Sequence, residues 1–397
     1  MSNRVCFLGG ARYSRPLDTT SEKKFRLMKS LGEIFVIGFT GELGPRWFTE
    51  HAKFYLLPTL PFAPLRYAEM LVFGVPLTIW VIARHAVQVL VAQSPYEGFA
   101  AALAKRICGW FGYRVVLVVE SHGDFEESVF MQRRVLLPKL YRSLMRMAAD
   151  FTFKQADVFR TISESTRRQL ENWSAGRPIV QFPAWTDMDA FLAAGVNPDS
   201  RNQDILYTGV LIPRKGVHHL IEAFATIAGD FPQARLLLLG HAENRTYAAE
   251  LREQVGRLGM SGRVQFIDAM PQTELATWMR RASVFVLPSV SEGLGRVVFE
   301  AMASGAPVIG SCVGGIPDMI EDGVTGFLVP PGDPLSLGQK IRWLLDHPAE
   351  AQAMGQRARI AAQHIFSTNS YIGGYRELLT IAHGLLIGRD EHAHSAV

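Results

Sequence analysis

Short apolar runs alternate with helical patterns along nearly the whole chain, and this alternation limits its fold more than any other feature. VCFL (5–8), IFVIGF (34–39), VQVLVA (87–92), VVLVVE (115–120) and VFRTIS (158–163) read as buried strands. Helical stretches such as FAAALAKRICGWFG (99–112) lie between them. The scheme then repeats in DILYTG (204–209), ARLLLLG (234–240), RVQFID (263–268), VFVLP (284–288), PVIGS (307–311) and FLVPP (327–331). Strands this apolar are buried on both faces, which predicts parallel sheets covered by helices on either side. Two such series in 397 residues predict two doubly wound α/β domains.

The domain boundary is expected in FPAWTDMDAFLAAGVNPDSRNQ (182–203), where proline, asparagine and polar residues collect. This gives a first domain over 1–190 and a second over 191–370. A final helix, 371–397, is expected to pack back on the first domain before its tail frays. In such sheets ligands bind at the carboxyl ends of the strands.

Charge is uneven. Residues 1–190 hold 24 Lys and Arg against 17 Asp and Glu, and the remainder holds 17 against 20. The basic half also carries MLVFGVPLTIWVIA (70–83), 14 residues without a charge. A spanning helix needs about 20 residues, so a buried helix is expected first and an interfacial one second. Together these features suggest an anionic partner such as a membrane face, although such asymmetry is common. Scattered basic residues and the lack of any finger or RNA-binding signature argue against nucleic acid. The N-terminal run VCFL is too short for a secretory leader, and Cys6, Cys108 and Cys312 form neither zinc spacing nor a disulfide framework. A cytoplasmic location is therefore expected.

Three stretches carry candidate chemistry. In SEGLGRVVFEAMASG (291–305) a glycine turn leads from a strand into a helix whose core stripe is Val298, Ala301, Met302 and Gly305. Glu292 and Glu300 sit off that stripe, eight positions apart. Amides at such a helix start attract anions, and carboxylates accept hydrogen bonds from hydroxyls. Read alone, both glutamates fit surface charge equally well, Glu300 pairing with Arg296. In TGVLIPRKGVHHLIEAF (208–224), Arg214 and Lys215 precede a helix and suit a diphosphate, or simply form a basic loop. No P-loop is present. In VVESHGDFEES (118–128), His122 directly follows a strand, flanked by Glu120 and Asp124. Gly9-Gly10 lacks the third glycine of a dinucleotide fingerprint, which disfavours a nicotinamide oxidoreductase.

Taken together, these stretches make the sequence recognisable. Residues 204–345 resemble the nucleotide-sugar-binding domain of the retaining glycosyltransferases of family 4. The resemblance rests on TGVLIPRKG, VQFIDAMPQTELATWMRRASVFVLPS and LPSVSEGLGRVVFEAMASGAPVIGSCVGGIPDMIEDGVTGFLVPPGD. The first half resembles the family's acceptor domain through Gly9-Gly10, VVESHGD and QADVFRTISESTRRQL.

The resemblance implies the GT-B fold: two doubly wound, Rossmann-like parallel-sheet domains facing across a cleft. It implies that Glu300 binds ribose hydroxyls. Glu292 touches the donor sugar beside the amides of Gly293, Leu294 and Gly295. Lys215, with Arg214, clamps the diphosphate, and Gly10 lets the first turn approach the phosphates. His122 faces the reacting sugar, and Glu120 and Asp124 are expected on the acceptor side. The implied co-substrate is a nucleotide-diphosphate sugar, with no further cofactor and no metal. Departures from the family pattern are Val210 in place of a common arginine, HAEN (241–244) in place of a glycine-rich turn, and PAWTD (183–187) at the domain junction. The expected activity is hexosyl transfer to a saccharide or lipid-linked acceptor with retention of configuration. The alternatives are a nucleotide-sugar epimerase of the same fold and a non-catalytic nucleotide-sugar sensor.

Overall fold

The computed structural model describes residues 3–60, 63–123, 138–193 and 203–394. The chain divides into two compact units. One comprises Met1–Ile162, Thr166–Trp185 and Thr368–Val397; the other comprises Ser163–Ser165 and Thr186–Ser367. The junction expected at 190 falls at 185 because the short helix Asp189–Ala193 belongs to the second unit. Its Phe191 is fully buried there, and Leu192 O accepts a hydrogen bond from Arg359 Nη2.

Among the described residues, the first unit is built on eight strands: β1 (Arg4–Arg12), β2 (Glu33–Thr40), β3 (Arg46–Glu50), β4 (Ala52–Pro58), β5 (Val89–Ala92), β6 (Val116–Ser121), β7 (Val158–Thr161) and β8 (Ile179–Gln181). Their order in the sheet is β3-β4-β2-β1-β5-β6-β7-β8. All neighbours are parallel except β3, which pairs antiparallel with β4 at one edge. The expected all-parallel sheet is thus mixed. The strands β3, β4 and β8 escape a reading based on long apolar runs: β3 is half-exposed and β8 has three residues. The first strand also continues through Arg12 rather than stopping at Gly9-Gly10, with its pairing to β2 shifting between Leu8 and Arg12.

Alternation of side chains gives this sheet two apolar faces. Cys6, Leu8, Phe35, Ile37, Leu90, Leu117 and Val119 point to one, covered by the helices Val75–His85, Gly98–Trp110 and Pro138–Gln155. Val5, Phe7, Ile34, Val36, Val91 and Val118 point to the other. Helix Thr368–His394 lays Tyr371, Tyr375, Leu378, Leu379 and Leu386 onto this second face, as does Thr19–Met28 with Phe25 and Met28.

The uncharged stretch at 70–83 differs from expectation. It lies within a helical run, Leu65–His85, whose 21 residues are long and apolar enough to cross a membrane by length and composition. Met70–Gly74 form a π-helical turn just before Pro76. Proline has no amide hydrogen to continue the ladder, and a widened turn absorbs that loss. Val75, Val81 and Ile82 are buried, but Leu65, Leu71, Val72, Phe73 and Trp80 are exposed. The helix is therefore not the wholly buried one expected first.

Among its described residues the second unit has six parallel strands: β9 (Asp204–Thr208), β10 (Arg235–Leu239), β11 (Val264–Ile267), β12 (Val284–Leu287), β13 (Val308–Ser311) and β14 (Phe327–Val329). Their order is β11-β10-β9-β12-β13-β14. The direction of winding reverses between β9 and β12, and beyond the carboxyl ends of these two strands a crevice opens by topology alone.

Candidate active site

The turns leaving β9 and β12 meet at that reversal. Gly216 has φ 65°, and a Cβ placed on it would lie 2.0 Å from Pro288 O. Only glycine allows this approach. Val290 N donates to Arg214 O at 2.9 Å, joining the two turns further. Arg214 and Lys215 are thereby brought against Glu292. Lys215 Nζ is 2.5 Å from Glu292 Oε1, Arg214 Nη1 is 3.7 Å from Oε2, and Ser289 Oγ donates to Oε1 at 2.7 Å. The Glu292 side chain is only 6% exposed. The resemblance gives the cations and the carboxylate separate duties; in the structure they neutralise one another, so an arriving anion competes with Glu292 for both cations.

Gly293, Leu294 and Gly295 lead from Glu292 into helix Arg296–Ala303. Gly295 has φ 76°, and no side chain caps the helix start. Among the described residues, the three amides have no hydrogen-bond acceptor. Unpaired amides at a helix start favour an anion. Val298, Phe299, Ala301 and Met302 are buried by the core, while Glu300 lies beside that stripe. Burial pushes the Glu300 carboxyl up to about 7 against the opposing pull of Arg296. Among the described residues, its carboxylate has no ion pair within 4 Å and no hydrogen-bond donor. The surface-pair reading with Arg296 is therefore set aside. A mostly buried acceptor without a donor is poised for hydroxyl groups.

The first unit carries a second constellation. His122 follows β6, and its side chain is 39% exposed. Its Nε2 lies 2.9 Å from Glu120 Oε2. Glu120, the expected acceptor contact, is corrected here: it is 1% exposed and already held by Arg160 Nη1 at 3.0 Å and Tyr375 Oη at 2.7 Å. Burial alone would weaken this acid. The Arg160 guanidinium, with help from His122 and Tyr375, reverses that and holds it well below the usual carboxylate range. Asp124 lies outside the described residues. Gly10 sits within β1, and a Cβ there would come 2.8 Å from Glu97 Oε1.

Sequence reading missed Ser289, Arg160, Tyr375 and Glu97. A charged residue inside the apolar run VFRTIS was a visible signal for Arg160, since a buried arginine needs a partner. Nothing in the sequence pointed to Tyr375, 255 positions from Glu120. Among the described residues, no three His, Cys, Asp or Glu side chains gather as a metal site requires.

Residues 191–361 match the family model of glycosyl transferases group 1, and residues 30–189 match that of glycosyltransferase family 4. The D-inositol 3-phosphate glycosyltransferase of Streptomyces avermitilis is 37% identical over 165 residues, 40% of this chain and 35% of that protein. The enzyme of the same name from Segniliparus rotundus is 34% identical over 258 residues, 65% of this chain and 56% of that protein. The matches thus span less than two thirds of these relatives' own length. Among solved structures, Anabaena HepE in complex with UDP superposes with a TM-score of 0.71 at 20% identity, covering 95% of this chain and 99% of that one. Two α/β units, one built on a mixed and one on a parallel sheet, one family model on each half and this structural likeness lead to one conclusion: the chain belongs to the family 4 glycosyltransferases and has the GT-B fold.

Proposed function

We propose that the chain transfers a hexosyl group from a nucleotide-diphosphate sugar to a saccharide or lipid-linked acceptor, with retention of anomeric configuration. The observation that carries this reading is Glu300. Its mostly buried carboxylate lacks a donor and lies one helical turn beyond three unpaired amides. A ribose bearing two hydroxyls satisfies the carboxylate, and the attached diphosphate satisfies the amides together with Arg214 and Lys215. As the glycosidic bond breaks, charge builds on the leaving diphosphate. Fixed cations and amides stabilise it without reorganising, so the proposed chemistry uses no metal or cofactor. Glu292 is assigned to donor-sugar hydroxyls once the diphosphate has drawn its cations away, and His122 to the reacting sugar. Leaving-group phosphate then assists deprotonation of the acceptor on the same face. Structures of Anabaena HepE with UDP and with UDP-glucose favour a uridine donor as the first to try.

The setting we propose is cell-surface polysaccharide or glycolipid synthesis, with the protein in the cytoplasm and touching the inner membrane face. In support, Trp47 stacks on Trp80 at 5.6 Å with both rings exposed, and Leu71, Val72 and Phe73, earlier in the same helical run as Trp80, are exposed as well. Paired tryptophans on an apolar face suit the bilayer interface.

The test is a panel of UDP-, GDP- and ADP-hexoses, scored by protection against melting and by slow hydrolysis, followed by NMR of the product anomer. Protection by none of them rejects the donor site. An inverted product rejects retention.

A further inference from the structure

The contacts of Glu120 determine more than its own burial. An ionised carboxylate only accepts hydrogen bonds, so each partner supplies the hydrogen. Tyr375 Oη donates to Oε1 at 2.7 Å and Arg160 Nη1 lies 3.0 Å from the same oxygen, leaving Oε2 for His122 Nε2 at 2.9 Å. The two supporting side chains are themselves fixed. Arg160 Nη2 donates to Pro183 O at 3.0 Å, and its guanidinium lies 4.1 Å from the centre of the Phe182 ring. Tyr375 packs edge-on against Phe7, Phe182 and Tyr371. The charge of Lys24 and the hydroxyl of Tyr13 also lie within the field of Glu120. The other ring nitrogen of His122, Nδ1, has no hydrogen-bond partner among the described residues.

We propose that Tyr375 and Arg160 are positioning residues: by anchoring the Glu120 carboxylate they fix His122 as the Nε2–H tautomer and make Nδ1 the nitrogen offered to substrate. In the neutral ring Nδ1 carries a lone pair, so it accepts a hydrogen bond from a sugar hydroxyl and does not donate one. The last helix of the chain thereby sets the chemistry of a residue at the end of β6. The catalytic part of this inference rests on the proposed transferase activity; the tautomer does not.

The experiment uses the full-length, ligand-free protein labelled with 15N-histidine, at a pH where the ring is neutral. His122 is assigned by loss of its signal in H122Q. The expected spectrum shows a protonated Nε2 and an unprotonated Nδ1. In E120Q the amide can turn its NH2 toward Nε2, so the tautomer shifts toward Nδ1–H, and kcat falls by ~10²-fold or more while donor KM holds. Y375F gives a mixture of tautomers and a loss of about tenfold, that of one hydrogen bond to a charged group. E120D restores part of both signals. An Nδ1–H tautomer in the unaltered protein overturns the inference even if no variant folds. Variants that melt earlier with the tautomer unchanged overturn it too, leaving the cluster as a structural strut. Absence of turnover with every donor alongside the expected tautomer rejects the transferase reading instead.

Discussion

Lys215 Nζ and Glu292 Oε1 lie 2.5 Å apart although 77 positions separate them in sequence. Each leaves a different strand of the second sheet, and the contact closes the gap between the two turns. Removing Lys215 leaves Glu292, only 6% exposed, with the more distant Arg214 at 3.7 Å and the Ser289 hydroxyl. Lys215→Met is expected to cost about 3 kcal/mol of stability, read from urea unfolding. Adding Glu292→Gln should recover most of that loss but none of the turnover. Recovery of both would show that the pair serves the fold alone.

Glu300 predicts a pH dependence with a definite sign. Its carboxyl titrates near 7 in the ligand-free fold, against an ordinary 4.5. The folded state therefore binds the extra proton between those values, and stability falls as pH rises from 4.5 toward 7. Nucleotide binding should run the other way. The ionised carboxylate is the better acceptor of two ribose hydroxyls, so affinity for UDP rises as pH passes through 7. Calorimetry with proton counting checks this. Glu300→Gln should flatten the curve and weaken binding by at least tenfold with the melting temperature unharmed.

Glu120 has the opposite sign. Its pKa is lowered on folding by Arg160, so its contribution to stability is present above the ordinary 4.5 and is lost as pH falls below it. Arg160→Met should cost about 3–5 kcal/mol at neutral pH by leaving a buried carboxylate unpaired. Arg160→Met combined with Glu120→Gln should cost less. Acid titration followed by circular dichroism distinguishes the two.

Gly216→Ala tests the approach of the turns. The new methyl would meet Pro288 O in a backbone region that alanine resists. A loss of about 1–3 kcal/mol is expected, together with loss of protection by nucleotide, because Lys215 moves away from Glu292.

Phe73→Ser combined with Trp80→Ser tests the apolar face. Phe73 is exposed, while Trp80 is partly exposed and packs on Trp47, Tyr55 and His85, so a loss of about 1–3 kcal/mol is expected from its ring contacts. Co-sedimentation with vesicles rich in anionic lipid should fall several-fold, with hydrolysis of donor in solution unchanged. Equal co-sedimentation would remove the membrane from the proposal.

Legibility in the sequence followed length of run and locality. All six strands of the second unit announce themselves as apolar runs between amphipathic helices, and Glu292, Glu300, Arg214 and Lys215 fall on turns that those strands define. The edge pair β3 and β4 does not, because Arg46, Thr49, Glu50 and Lys53 interrupt the pattern. The exposed side of Leu65–His85 was hidden for a related reason: composition records that a helix is apolar but not which residues the sheet covers. Glu120 was misread because its true partners come from β7 and the last helix, and neither proximity is written in local spacing.

The last helix imposes an order on synthesis. Tyr371, Tyr375 and Leu378 line one face of the first sheet, yet they leave the ribosome roughly 190 residues after the last strand of that sheet. At ~5–20 residues per second, that wait lasts roughly 10–40 s. Throughout it the newborn first sheet shows the solvent Phe7, Val118 and an Arg160–Glu120 pair without its tyrosine. All of the second unit except Ser163–Ser165 is translated inside this interval. The first unit to begin is thus the last to be finished, and the nascent chain is most vulnerable to chaperone capture or aggregation while its second half is already able to fold.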